Sequence, residues 1–165
     1  MGEEPASSEQ IRMAVPGDAA QIAAALRRSF AEYESLYTPA AFAATVPTPE
    51  QILGRMGEGP VWVAVENGTV VGTVAAVPRA EALYVRGMAV DPATRGRGTG
   101  RALLERAEEF ALANGFERLL LSTTPFLLSA IRLYEKHGFR RDDAGPHDLQ
   151  GTPLFTMVKD LSRTA

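Results

Sequence analysis

The sequence VDPATRGRGTGRALLERAEEF, residues Val90–Phe110, decides how the rest of the chain is interpreted. It places three glycines and three arginines within Arg95–Arg101, directly before a segment with the apolar spacing of a helix. Unpaired N–H groups and the helix dipole make such a helix start attractive to anions, and glycine lets a phosphate come close. The residues alone leave two interpretations open: a phosphate-binding loop, or an ordinary capped helix whose arginines are solvated.

Two widespread phosphate motifs do not fit this stretch. The P-loop ends in Gly-Lys-Ser/Thr, whereas here Gly100 is followed by Arg101 and Ala102. The dinucleotide-binding fingerprint needs a glycine three positions after its second glycine, and this sequence has Arg101 or Leu103 at that place. The stretch therefore belongs to another class of loop.

The flanking segments predict a mixed α/β domain with a predominantly antiparallel sheet. Asn67-Gly68 joins two β-branched runs and is suited to a two-residue hairpin turn. Alternating or continuous apolar runs predict strands at Ile11–Val15, Val61–Glu66, Thr69–Val77, Ala82–Val90, 118–122, after Gly138 and at 153–159. Helical spacing predicts helices around Ile22–Phe30, Glu50–Met56, Leu103–Ala111 and Pro125–His137.

Length and composition limit the functions that the chain can have. A length of 165 residues fits a single domain, which we expect at 11–165, after a disordered leader at 1–10. A net charge of −3 gives no reason to expect nucleic acid or an anionic membrane as partner. Without cysteine, and with its two histidines far apart, the chain is predicted to hold no metal. No apolar run approaches the ~20 residues of a membrane span, and the acidic N-terminus does not resemble a secretory signal, so a cytoplasmic location is predicted.

Three segments in order carry a resemblance to a known family: MAVDP at 88–92, Arg95-x-x-Gly98-x-Gly100, and AIRLYEKHGFR at 130–140. Together they resemble the GNAT superfamily of acetyl-CoA-dependent N-acetyltransferases, whose signature is Q/R-x-x-G-x-G/A. The resemblance runs from Val61 to Lys159, with looser agreement from Ile11 onward. It implies the GNAT fold, a central twisted sheet of about six or seven mostly antiparallel strands flanked by about four helices. It also implies acetyl-CoA as the co-substrate.

The resemblance further implies which residues bind acetyl-CoA. In the family, the loop amides hold the pyrophosphate, and the strand before the loop pairs its main chain with the pantetheine arm. The positions that match here are Met88, Ala89, Val90, Arg95, Gly96, Arg97, Gly98, Thr99, Gly100 and Arg101. One position departs from the family, because many members have an asparagine where this chain has Leu127.

Tyr134 is the predicted catalytic residue. It lies on a helical stripe with Leu127, Ala130 and Ile131, so periodicity alone also fits a core tyrosine. In the family, the tyrosine of the LYEKxGF segment often lies beside the cofactor sulfur and protonates the leaving thiolate. A phenol with a pKa of ~10 is suited to that step.

The acceptor site is less well defined by the sequence. Glu81 and Tyr84 lie on the strand that leads to Val90, while Glu32 and Tyr33 end the first helix, where the family often lines its acceptor pocket. The acidic patch near Glu32 to Glu34 favours a cationic acceptor. The sequence assigns no general base.

Two functions are consistent with these residues. The first is direct acetyl transfer to an amine of a small molecule or peptide, with a main-chain N–H near Val90 polarising the thioester carbonyl. The alternative is a non-catalytic acyl-CoA-binding sensor or scaffold of the same fold. Tyr134 favours the enzyme, whereas Leu127 leaves room for the alternative. Many relatives form dimers, so a homodimer is a further expectation.

Overall fold

A seven-stranded sheet carries the fold in the computed structural model, which describes residues 9–161. The strands are β1 Gln10–Met13, β2 Val61–Glu66, β3 Thr69–Arg79, β4 Ala82–Val90, β5 Arg118–Thr123, β6 Arg140–Asp142, β7 Asp148–Leu149, β8 Thr152–Pro153 and β9 Phe155–Asp160. The α-helices are α1 Ala19–Phe30, α2 Pro39–Thr45, α3 Pro49–Met56, α4 Thr99–Ala113 and α5 Leu128–Lys136. The main sheet has the order β1-β2-β3-β4-β5-β9-β6, and β7 and β8 form a separate hairpin.

The predicted fold class and the central hairpin are confirmed. All neighbours in the main sheet are antiparallel except β4 and β5, which are parallel. Glu66 lies opposite Thr69, and between them Asn67 and Gly68 have φ angles of 53° and 79°. Two consecutive positive φ angles are typical of a type I′ turn, which matches the twist of the two strands.

The structure has a helix that the sequence did not predict. Pro39–Thr45 was expected to be part of a loop, but it forms α2, so residues 9–161 contain five α-helices where about four were expected. The Thr38 hydroxyl accepts a hydrogen bond from the Ala41 N–H at 3.1 Å, and Pro39 occupies the first helical position. Cap and proline together start this helix, which is too short to show an apolar stripe.

Two element boundaries also differ from the prediction. Helix α5 begins at Leu128 rather than at Pro125, because the preceding residues form a turn in which the Leu127 N–H bonds the Thr124 carbonyl at 3.2 Å. Strand β1 begins at Gln10, so the predicted leader overlaps the sheet by one residue. Residues 1–8 of that leader, and residues 162–165 of the predicted domain, lie outside the described part.

Helices cover both faces of the sheet. On one face, α4 and α5 pack against a cluster that includes Trp62 and Leu83. On the other face, α1 and α3 pack against Val61 and Val63. Along β2, Val61 and Val63 face one helical layer and Trp62 faces the other. This two-residue period is typical of a strand that is buried on both faces.

The two parallel strands at the centre of the sheet diverge. β4 and β5 are paired at only three positions, the last being Tyr84 opposite Leu120. Beyond them, β4 continues along β3 as far as Val90, and β5 continues along β9 as far as Thr123. A wedge therefore opens between the ends of β4 and β5, and main-chain groups of β4 that face it have no partner strand.

A bulge shapes β4 beside this wedge. Thr73 of β3 pairs with Ala89, whereas Ala75 pairs with Arg86, so β4 contains one residue more than β3 over this interval. Gly87, inside the bulge, has a φ of 62°. Bulges bend a strand and change the direction of its side chains, and they are common next to active sites.

We expect Leu83→Ala to lower the free energy of unfolding by about 2–5 kcal/mol, because a fully buried leucine leaves a cavity when it is truncated. Leu83 is 0% exposed and belongs to the cluster under α4. Leu112, which is 44% exposed at the end of α4, offers the matched control. Urea unfolding of Leu112→Ala should stay within about 0.5 kcal/mol of the unmodified protein.

Candidate active site

Two adjoining cavities occupy the wedge and its surroundings. The first, of about 540 Å³, lies along the segment 95–101, the end of β4 and one side of α5, and we call it the loop cavity. The second, of about 290 Å³, is called the arginine cavity because Arg55, Arg79 and Arg86 line it. Both cavities share four lining residues, namely Phe30, Met88, Leu127 and Tyr134. The cavities therefore meet at the bulge of β4.

The glycine loop has the geometry of a phosphate cradle. Gly96 and Gly98 have φ angles of 86° and 83°, and a Cβ atom on either residue would meet no other heavy atom within 4 Å. Helix α4 begins directly afterwards, and the Ala102 N–H bonds the Gly98 carbonyl at 3.0 Å. The N–H groups of the preceding first turn have no acceptor inside the helix. These features fit the phosphates of a nucleotide-like ligand.

Gly100 has a different role from the other two glycines. A Cβ atom there would lie 2.9 Å from Leu133 Cδ2 and 3.3 Å from Met88 Cε. Only glycine lets the first turn of α4 approach α5 and β4 this closely. The same three residues line the loop cavity, so this packing forms part of its wall.

The three predicted arginines of the loop have different surroundings. Arg95 lines the loop cavity and also donates to the Ser29 carbonyl at 3.1 Å, which joins the loop to α1. Arg101 lines the cavity with its side chain 73% exposed. Arg97 does not line it, because its guanidinium is paired with Glu66 at 2.9 Å. Lys136 lines the cavity from the end of α5 and was not predicted as a binding residue from the sequence.

Tyr134 lies where the two cavities meet. It lines both of them and packs against Phe139, with ring centroids 5.9 Å apart. Burial raises the pKa of Tyr134 well above the usual value for tyrosine, and the neighbouring Tyr37 raises it further. The side chain therefore stays a neutral phenol that can donate a hydrogen bond. It is also part of the apolar core, so the two roles considered from the sequence are compatible.

The four predicted acceptor residues are divided by the structure. Tyr84 lines the arginine cavity, and Tyr33 lines the loop cavity. Glu32 and Glu81 line neither cavity, because they face Arg95 at 3.3 Å and Arg118 at 3.7 Å, respectively. The acidic side chains that favoured a cationic acceptor are thus absent from the lining of both cavities.

The arginine cavity was not predicted from the sequence. Its three arginines come from α3, from the end of β3 and from β4. The Arg79 guanidinium lies 4.1 Å from the ring centroid of Tyr84, and Arg86 is paired with Glu58. Arg55 donates to the Ala44 carbonyl at 3.2 Å, and the place where a Cβ of Gly87 would stand is 3.2 Å from its Nη1. Arg55 therefore lies directly against the bulge of β4, which itself includes Arg86.

Residues 9–161 contain no group of three or more His, Cys, Asp or Glu side chains that could hold a metal ion. In the same part of the chain, every helix is too short or too polar to cross a membrane.

Comparison with known proteins identifies the family. A model of the acetyltransferase (GNAT) family matches residues 22–139. The chain belongs to the GNAT family. The match includes the glycine loop and Tyr134, and it confirms the resemblance derived from the three sequence segments.

Relatives of this GNAT protein include two proteins with named activities. N-acetylaspartate synthetase of Danio rerio is 45% identical over 82 residues, which are 48% of this chain and 29% of that protein. IAA acetyltransferase of Azospirillum brasilense is 43% identical over 102 residues, which are 60% of this chain and 66% of that protein. The chain thus spans less than a third of the first relative.

Solved structures show the same GNAT fold. The PaiA N-acetyltransferase of Thermoplasma acidophilum, solved in complex with coenzyme A, superposes with a TM-score of 0.81 over 93% of this chain and 99% of that chain. Because the two sequences are only 18% identical, this comparison establishes the shared fold alone. It agrees with the sheet and helices described above.

Proposed function

We propose that this GNAT protein transfers the acetyl group of acetyl-CoA to a primary amine. The observation that supports the proposal is the junction of two cavities at Tyr134, one with a phosphate cradle and the other with polar and cationic groups. Family membership supports it as well. The names of the two relatives agree with it, because one contains an N-acetylated product and the other is that of an acetyltransferase.

In this proposal, main-chain groups of the protein hold most of the coenzyme. The N–H groups of Gly96, Gly98 and the first turn of α4 bind the pyrophosphate. Met88, Ala89 and Val90 line the loop cavity, and the main chain of this segment pairs with the pantetheine arm as an added strand would. Leu127 lines both cavities and supplies an apolar contact where many relatives have an asparagine.

Charged side chains assist the binding of the phosphates. Arg101 and Lys136 present positive charge at the edge of the loop cavity. Arg95 mainly fixes the position of the loop through Ser29, and Arg97, outside the lining of the cavity, has its guanidinium held by Glu66. Thr99 contributes its main-chain N–H, since its buried side chain donates to Glu9 at 2.6 Å.

The chemistry depends on the position of Tyr134. Acetyl-CoA supplies an activated acyl group, and a neutral amine forms the new C–N bond while the C–S bond breaks. A β4 main-chain N–H near Val90, facing the wedge, polarises the carbonyl oxygen. Tyr134 gives its phenolic proton to the departing thiolate, which becomes the thiol of coenzyme A, and the proton lost by the amine restores the phenol. The products are an amide and coenzyme A.

The test is a thiol-release assay on the purified full chain with acetyl-CoA and a panel of primary amines. Release of one thiol for each amide formed supports the proposal, with the amide identified by mass spectrometry. Acetyl-CoA binding without amide formation from any amine would favour the non-catalytic sensor or scaffold. Absence of acetyl-CoA binding would contradict both functions.

A homodimer and a cytoplasmic location stay predictions from the sequence. Sedimentation equilibrium with and without acetyl-CoA measures the oligomeric state. A mass that stays at the 17.7 kDa of one chain over the accessible concentration range would contradict the dimer.

A further inference from the structure

We infer that the arginine cavity receives the acceptor and that this acceptor is an amine with two carboxylates, the class of the acidic amino acids. The inference rests on the proposed function and adds the substrate class to it. It replaces the cationic acceptor that the sequence favoured.

The charge of the cavity carries the inference. Three guanidinium groups line it, and no carboxylate is among its described lining residues. Glu58 neutralises Arg86 from outside the lining, and among residues 9–161 neither Arg55 nor Arg79 has a carboxylate within ion-pair distance. The excess of two positive charges matches two carboxylates, whereas it repels a polyamine or a lysine side chain.

Arg55 is the arginine for which an anion matters most. Burial lowers the pKa of the Arg55 guanidinium and the nearby charge of Arg86 lowers it further, while Glu58 and Tyr84 offset only part of this effect. A guanidinium stays charged under these conditions, so its removal from water is unfavourable unless an anion compensates it. Because Nη1 of Arg55 lies against the bulge of β4, a carboxylate bound there would be close to the reacting end of the coenzyme.

Hydrogen-bonding groups of the cavity also remain unused. Nε of Arg86 is buried and has no hydrogen-bond acceptor among the described residues. The Thr123 hydroxyl is likewise unpartnered, in a residue that is 5% exposed and lines the cavity. Buried donors without acceptors are uncommon in native proteins and call for a ligand or water. Both atoms are closed to solvent, so a rotation of the side chain towards the cavity is needed before a carboxylate or amine of the acceptor can bind them.

The size and position of the cavity fit a small acceptor. Its volume of about 290 Å³ is at the lower end of the usual range for small-molecule sites. It meets the loop cavity at Met88 and Tyr134, so an amine at the junction would face the acyl group while the carboxylates extend towards the arginines. The amine of the acceptor is thereby directed to the acyl group, and its carboxylates are directed away from it.

The first test compares acceptors that differ in charge but hardly in shape. L-aspartate and L-glutamate are each paired with L-asparagine and L-glutamine, and putrescine represents the cationic amines. We expect kcat/KM for the acidic amino acids to exceed that for their amides by about 10- to 100-fold, as for loss of one charge-assisted contact. Equal rates for acid and amide, or a preference for putrescine, would overturn the inference while the proposed acetyl transfer stands.

The second test removes two of the three arginines of the cavity, one at a time. Arg55→Gln and Arg86→Gln should each raise the KM for L-aspartate by about 10- to 100-fold and leave the Kd for acetyl-CoA unchanged. Arg27→Gln, on the exposed side of α1 and outside both cavities, removes the same charge and should change neither constant. An unchanged KM in both cavity variants would overturn the inference.

A binding measurement keeps the inference testable without turnover. In calorimetric titrations of the coenzyme A complex, L-aspartate should bind and putrescine should not. Binding of aspartate without acetyl transfer would contradict the proposed function alone. Absence of aspartate binding in a protein that acetylates another amine would contradict the inference alone. Thermal unfolding of each variant separates loss of binding from loss of the fold.

Discussion

Replacing Tyr134 by phenylalanine should lower kcat for acetyl transfer by about 10²–10⁴-fold, the contribution typical of a positioned proton donor. The Kd for acetyl-CoA should stay within about twofold, because the ring and its packing against Phe139 are kept. Stopped assays of thiol release give kcat, and equilibrium dialysis gives the Kd.

The direction of the pKa shift adds a second readout for Tyr134. Its pKa is raised, so the phenol keeps its proton through the alkaline range in which amines lose theirs. The rate should therefore rise with pH as the amine becomes neutral, with no decline caused by Tyr134 below about pH 10. The phenylalanine variant should keep the same rising limb at a lower level. A normal kcat in this variant would assign Tyr134 to packing only.

The second large effect is expected from Gly98→Ala, which should raise the Kd for acetyl-CoA by about tenfold or more. Gly98 precedes α4 with a φ of 83°, and the space over its Cα is open. A methyl group there would occupy the place proposed for the phosphate and would strain a left-handed residue by about 1–2 kcal/mol.

Gly115, at the opposite end of the same helix, supplies the matched control. Its φ is 79°, and a Cβ atom would again have no neighbour within 4 Å. Gly115→Ala should therefore lose about the same 1–2 kcal/mol of unfolding free energy while acetyl-CoA binding is unaffected. If both variants bound acetyl-CoA normally, the loop would not be the phosphate site.

Local patterns predicted the parts of the fold that local chemistry determines. Asn67-Gly68 specified its turn because both residues tolerate positive φ, and the strands on either side followed from their apolar runs. The glycine loop was predicted for the same reason, since the backbone geometry at Gly96 and Gly98 depends on residue type. Helix α2 was missed because a two-turn helix depends on its cap and its packing.

The candidate site was predictable only where one segment builds it. Tyr134 and the loop belong to contiguous motifs, whereas Arg55, Arg79 and Arg86 converge from three different elements. Charge pairing is the second obstacle, because the sequence does not show which charges neutralise each other. Glu32 was predicted to contact the acceptor and lies beside Arg95 instead.

The separate walls of the two cavities have a consequence for how this protein can change. Strand β4 contributes to both cavities, but the glycine loop and α5 complete one of them, and α3, the end of β3 and the tip of β5 complete the other. If the cavities have the proposed roles, substitutions in α3 or near the β3–β4 turn would alter which amine is accepted without disturbing the donor. Selection, or a protein engineer, would then exchange the acceptor specificity while acetyl-CoA binding stays constant.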